Sequence, residues 1–203
     1  MKKIHKVVGL SGVAGSGKDL FCEVLCEKTN TFERYALADE LKLGVRELFI
    51  KEYDIDILNC SREDKDKIRP HLVEVAKEKR FASEGRHWVN ILERKLIPLT
   101  SDICITDVRY DDYEFDEVFW LRTQMDGTLV HISRYNTINE EKVFVQPPNE
   151  EEKRNDPALK SKADYVIEWP TFEGDIEARK IQVAEYGSDF LDWLYGNKTN
   201  TRQ

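Results

Sequence analysis

The sequence predicts an α/β fold: a mostly parallel sheet covered by helices on both faces, with a mobile insertion at residues 136–162. Three observations predict it. Apolar runs of strand length alternate with segments of helical spacing. A glycine-rich stretch, residues 12–17, joins the first strand to the first helix. Acidic residues, Asp39 and Asp107, follow the second and third strands. Such alternation implies parallel strands with helices on both faces, and ligands of such sheets bind beyond the carboxyl ends of the strands.

Residues 4–10 make the first strand through the run Val7-Val8-Gly9-Leu10. Residues 18–28 follow as a helix and residues 31–37 as a short strand. Residues 39–53 have helical spacing, with Leu41, Val45, Leu48 and Phe49 on one side. Residues 59–66 are polar and read as a loop. Pro70 suits the first turn of a helix that runs to about residue 80, where a missing N–H leaves no bond unmade. Residues 88–96 make a further helix stopped near Pro98. Residues 102–108 are a short apolar strand, 113–121 the helix of the next crossover, and 128–133 another strand. Residues 136–162 are polar, charged and interrupted by Pro147, Pro148 and Pro157. A stretch of that length is either a functional lid or disordered. Residues 164–168 are a late strand, 176–195 a helix, and the tail beyond Gly196 is expected to fray. With no internal repeat and no low-complexity linker, residues 1–203 read as one domain.

Composition narrows the class of ligand. Of 203 residues, 40% are hydrophobic, enough for a core, and 34% are charged. Lys plus Arg is 31 against 39 Asp plus Glu, a net charge of −8. A protein that grips a nucleic-acid backbone carries a basic face. This balance points instead to a small anionic ligand held by a few local basic residues. The four cysteines, Cys22, Cys26, Cys60 and Cys104, form no C-x-x-C pair. Cys22 and Cys26 share a helix face, and no cluster of histidines joins them as a metal site. They read as small buried hydrophobes in a reducing compartment. No segment resembles a signal peptide or a membrane span, so the expected location is the cytoplasm.

The chemistry is carried by Gly12-Val13-Ala14-Gly15-Ser16-Gly17-Lys18, which matches the phosphate-cradling pattern G-x-x-x-x-G-K in a strand–loop–helix context. Glycines let the backbone N–H groups curl into an anion-binding nest. The helix N-terminus adds its partial positive charge, and Lys18 adds a full one that can reach terminal phosphates. Asp19 stands where Ser or Thr normally offers a hydroxyl to magnesium. A carboxylate there can ligate the metal, directly or through water, or cap the helix.

Asp107 ends an apolar strand, the place of a metal-holding or water-holding carboxylate. Two residues on, Arg109 has a planar fork suited to a phosphate. Among Arg62, Arg69, Arg80 and Arg86, the pair Arg69 and Arg80 lies at the two ends of one expected helix and is the choice for a second substrate's phosphate. Phe81 and Trp88 can stack on a base or join the core. Arg134, Lys142, Lys153 and Arg154 accompany the insertion, and a lid with arginines would exclude water and neutralise developing charge.

Four stretches resemble the bacteriophage-type deoxynucleoside monophosphate kinases, a branch of the P-loop kinase fold. They are Leu10-Ser11-Gly12 through Gly17-Lys18-Asp19, where that family also has Asp after the lysine; Ala36-Leu37-Ala38-Asp39-Glu40-Leu41-Lys42, with Glu40 in place of proline; Arg69 to Arg80 followed by Trp88; and Ile105-Thr106-Asp107-Val108-Arg109-Tyr110. The resemblance implies transfer of the terminal phosphate of ATP to a deoxynucleoside monophosphate, with Mg2+. It implies that Lys18, Arg134 and the loop hold ATP, and that Asp39, Lys42, Arg69, Arg80, Trp88 and Arg109 line an acceptor region at residues 39–98. Asp107 would lie near the metal or the acceptor. Pro147-Pro148-Asn149-Glu150 occupies the neighbourhood of that family's lid motif. A homodimer and a host cytoplasm are further implications. Phosphomevalonate kinase and dephospho-coenzyme A kinase share the glycine loop, and a nucleotide-dependent switch is a third reading.

Overall fold

The structure, a computed structural model, describes residues 5–196. The start of the expected first strand at residue 4 and the tail expected to fray beyond Gly196 lie outside the described residues. Strand β1 (Val7–Ser11) lies between β3 (Asp102–Ile105) and β4 (Thr128–Ile138), parallel to both. Strand β2 (Phe32–Tyr35) extends the sheet beyond β3, and β6 (Tyr165–Pro170) pairs with β4, again parallel. Only β5 (Glu141–Phe144) runs antiparallel, folding back on the far end of β4. The carboxyl ends of the parallel strands therefore share one edge, where the expected cleft lies.

Side chains alternate across each strand, which splits the core into two layers. On one face α1 (Lys18–Thr29) and α7 (Ile176–Leu194) pack Phe21, Leu25, Val183 and Phe190 onto Val8, Leu10, Cys104 and Ile132. On the other, α2 (Leu37–Tyr53) and α4 (Arg86–Leu96) pack Leu37, Val89 and Leu92 onto Val7, Ile103 and Ile105. Trp120 and Leu121 join that layer from a π-helical turn. Helix α3 (Arg62–Ala82) docks through Ile68 onto Val45, Phe49 and Ile57, a small separate cluster. Of the four cysteines expected to be buried, Cys22 and Cys104 are, whereas Cys26 and Cys60 are only partly so; all four are free thiols.

Several boundaries differ from the sequence reading, each for a local reason. Helix α3 starts at Arg62, inside the expected loop, because the Ser61 hydroxyl accepts the Asp64 N–H at 3.1 Å. Pro70 consequently sits inside the helix and not in its first turn. The helix expected at 113–121 shrinks to α5 (Glu117–Phe119), capped by Asp116 and continued by the π-helical turn. The polar 136–162 stretch is largely regular. Strand β4 runs on to Ile138, and Asn139 and Glu140 adopt positive φ values of 50° and 68°, the conformation of a two-residue hairpin turn into β5. Helix α6 (Glu150–Lys162) then forms with Pro157 inside it. Asn149 caps it by accepting the Glu152 N–H at 2.8 Å, and three glutamates complement the first turn.

Arg80, expected at a substrate phosphate, lies instead in a buried ion network. Its guanidinium donates to both oxygens of Asp116 at 2.9 and 2.8 Å and to Glu117 at 3.4 Å. It also stacks 3.7 Å from the centre of the Tyr110 ring. Asp116 accepts in addition the N–H groups of Asp112 and Glu117. Glu117 accepts those of Arg109 and Tyr110 at 2.6 and 3.0 Å. Burial pushes the Glu117 carboxyl up to about 8, against the opposing pull of Arg80. The turn from β3 to α5 is thus wound around one guanidinium. Arg80→Ala leaves two buried acids without their cation. Urea unfolding should show a loss of about 3–5 kcal/mol; a loss below about 1 kcal/mol would contradict this role.

Candidate active site

The residue 12–17 loop has the backbone its glycines permit. Gly12, Gly15 and Gly17 take φ values of 126°, 79° and 103°. A Cβ on Gly12 would stand 2.2 Å from the Ile132 carbonyl oxygen, and one on Gly17 would stand 2.7 Å from the Trp169 ring. Trp169, at the end of β6, donates its indole N–H to the Ser16 carbonyl at 2.9 Å and props the loop from below. No side chain caps the start of α1, so its first amides stay free for a ligand. Lys18 is buried and donates to the carbonyls of Gly12 and Val13 at 2.7 and 2.9 Å. Burial, aided by the charge of Arg109, lowers its ammonium to about 8.

The acidic ends of the neighbouring strands converge beside this loop. Asp107, expected at a metal or the acceptor, is buried, and its two oxygens accept the N–H groups of Leu37 and Ala38, both at 2.8 Å. It caps α2 from outside the helix, and burial raises its carboxyl despite those bonds. One turn into α2, Asp39 accepts from Arg34 and Lys42 at 2.8 Å each. Burial opposes its charge, but these two cations outweigh burial and hold the carboxyl below the usual range. Arg34 also lies 3.6 Å from Asp19, which is 72% exposed. The expected residues Asp19, Asp39 and Lys42 therefore share one charged strip between α1 and α2. Glu40 is buried and pairs with Lys95 of α4 at 2.6 Å, a use that sequence spacing did not reveal.

Arg109 and the loop meet on a common anion. The carboxylate of Glu152, from α6, accepts the Ala14 N–H at 2.7 Å on one oxygen and lies 3.5 Å from the Arg109 guanidinium on the other. One carboxylate spans the gap between them. Next to it, Arg134 hangs over Gly15, 3.7 Å from where a Cβ would be. Its Nε is buried and makes no hydrogen bond within the protein. Arg134 borders a cavity of about 250 Å³ lined also by Lys18, Asp19, Phe172, Ile176 and Arg179. Phe172 and Arg179 follow β6 in sequence and were not anticipated. Their signal was their place just beyond a parallel strand's carboxyl end.

Besides Arg80, two further expected residues stay apart from this cluster. Arg69 is 68% exposed and pairs with Asp66 on its own helix. Trp88 is buried in the layer under α2 and α4 and presents no face for stacking. Among the described residues, no group of three or more His, Cys, Asp or Glu is arranged to hold a metal by itself. No helix among them is long and apolar enough to cross a membrane.

No protein-family model matches the chain, and no curated protein matches it either. Among solved structures it is similar to shikimate kinase from Acinetobacter baumannii in complex with shikimate, at 14% identity and a TM-score of 0.48, covering 97% of this chain and 96% of that one. It is similar to dephospho-CoA kinase from Campylobacter jejuni at 14% identity and a TM-score of 0.45, covering 96% and 99%. Shikimate kinase from Aquifex aeolicus gives 17% identity and a TM-score of 0.39, covering 90% and 98%.

Proposed function

We propose that this protein transfers the terminal phosphate of ATP to a small phosphorylated acceptor, a deoxynucleoside monophosphate. The observation that carries the reading is the anion position shared by the Ala14 amide and Arg109. A phosphoryl group in transit must be held from the donor side and the acceptor side at once, and catalysis is then mostly positioning and charge neutralisation. The loop amides and Lys18 hold the donor phosphates. Arg109 holds the acceptor phosphate or the group being transferred. Arg134, with its unpaired buried Nε, and Arg179 flank the donor nucleotide, whose base fits against Phe172 and Ile176. Asp107 seats α2 so that Asp39 and Lys42 face the acceptor.

The acceptor's identity rests on the four motif stretches. A homodimer and a cytoplasmic location go with the same reading. A lid role for residues 136–162 does too, with α6 as its mobile part. Magnesium supplies charge neutralisation when it arrives with ATP. Asp19 would hold the ion through its exposed carboxylate, whereas each oxygen of Asp107 already accepts a backbone N–H.

The test is ADP release with magnesium-ATP and a panel of acceptors: the four deoxynucleoside monophosphates, their ribonucleotide counterparts, phosphomevalonate, dephospho-coenzyme A and shikimate. Turnover dependent on deoxynucleotides is expected. Turnover with a non-nucleotide alone would replace the acceptor, and ATP binding without any acceptor-dependent turnover would leave a switch. Lys18→Ala should lose about 10³-fold in kcat, the scale for removing a preorganised charge at the reacting phosphate. A folded Lys18→Ala protein with near-normal activity would sink the assignment.

A pH dependence follows from the buried lysine. Phosphate binds the ammonium form, and Lys18 in the free protein loses its proton at about 8. ATP affinity should therefore hold steady below that pH. Above it, affinity should fall with a slope approaching one decade per pH unit, because binding then takes up a proton. Calorimetric titrations from pH 6.5 to about 9.5 check this, and Lys18→Met should abolish the slope. A slope that survives in Lys18→Met would assign the titration to another group.

A further inference from the structure

Glu152 stands at the mouth of the phosphate loop, with its side chain only 16% exposed. Its carboxylate holds the Ala14 N–H at 2.7 Å and faces Arg109, the two donors that the proposed function gives to phosphate. It also lies near enough to Lys18 to favour the lysine's charged form. We propose that helix α6 carries a built-in competitor for the donor phosphates: Glu152 fills the loop in the free protein and is displaced when a polyphosphate binds. The inference rests on the phosphate-binding reading of the loop.

The attachments of α6 suit a segment that lifts at one end. Its second half is anchored. Leu159 is buried in the core layer, Asn155 is buried, and Asp156 pairs with the buried His131 at 3.0 Å. Apart from Glu152 itself, the first turn is held by a surface pair, Lys77 3.5 Å from Glu151, and the next turn adds Arg154 3.4 Å from Asp112. Exposed pairs of this kind are weak and screened by salt. Pro147 and Pro148 precede the helix and separate it from the hairpin. No apolar side chain of the first turn enters the core, because residues 150–152 are all glutamate.

The competition has a definite direction. One carboxylate offers one negative charge and two acceptor oxygens. A tripolyphosphate chain offers several charges to the same amides and to Lys18, Arg109 and Arg134, so it wins the site. Displacing Glu152 then frees Arg109 from its internal partner at the moment the donor arrives. The loop and its arginine are thus kept neutralised until a ligand replaces the glutamate.

The experiment is calorimetric titration of the full chain with sodium tripolyphosphate and, separately, with magnesium-ATP, for the wild type, Glu152→Gln and Glu152→Ala. Both variants should bind tripolyphosphate about three- to tenfold more tightly, the scale expected when a charge-assisted competitor is removed from a partly solvated site. In the wild type, tripolyphosphate should also speed amide hydrogen exchange at residues 150–154. Wild-type binding that is unchanged or weakened in both variants would overturn the competitor and leave the phosphate site standing. Absence of binding by all three proteins would overturn both.

Discussion

The site depends on one buried carboxylate. Asp107, two residues past the end of β3, holds the first two N–H groups of α2. A helix start carries orphan amides and partial positive charge, so a buried acid there is compensated without a cation. The bond couples the third strand to the segment after the second, across the edge where the glycine loop emerges. Asp39 and Lys42 on α2, Arg109 two residues past Asp107, and the loop after β1 all take their relative positions from it.

Around that frame the positive charge is local and costly to hold. The chain as a whole is acidic. Lys18 is buried against its own loop carbonyls, Arg109 faces Glu152, and Arg134 keeps an unsatisfied nitrogen above Gly15. A buried, unpaired donor is unfavourable unless something else satisfies it. Three cations converge on the glycine loop, where the Ala14 N–H already holds an anionic oxygen. The glutamate from α6 is the nearest substitute that the chain itself supplies.

Not every basic residue near the cleft serves it. Arg80 is enclosed by Asp116, Glu117 and Tyr110 and organises the turn that carries Arg109. Removing a guanidinium from water is tolerable only with such complete pairing. The result is a rigid turn at the end of β3, opposite a surface-held helix α6.

The alternation of strand and helix, the glycine loop and the strand-end acids were legible in the sequence because each depends on neighbours in the chain. Period-2 and helical spacing report burial faces, and glycines report positive φ whatever surrounds them. Other features needed the tertiary structure. Both Arg69 and Arg80 looked available as phosphate ligands, yet one is exposed beside Asp66 and the other is enclosed by Asp116 and Glu117, 36 and 37 positions away in sequence. Trp88 could have stacked on a base, and packing placed it in the core. The polar 136–162 stretch gave little apolar periodicity because α6 buries few side chains, among them Leu159, and is held largely by ion pairs and its cap. Glu152 lay unmarked within that polar stretch. That it reaches Ala14, 138 positions away, was decided only by how the chain folds back across its own phosphate loop.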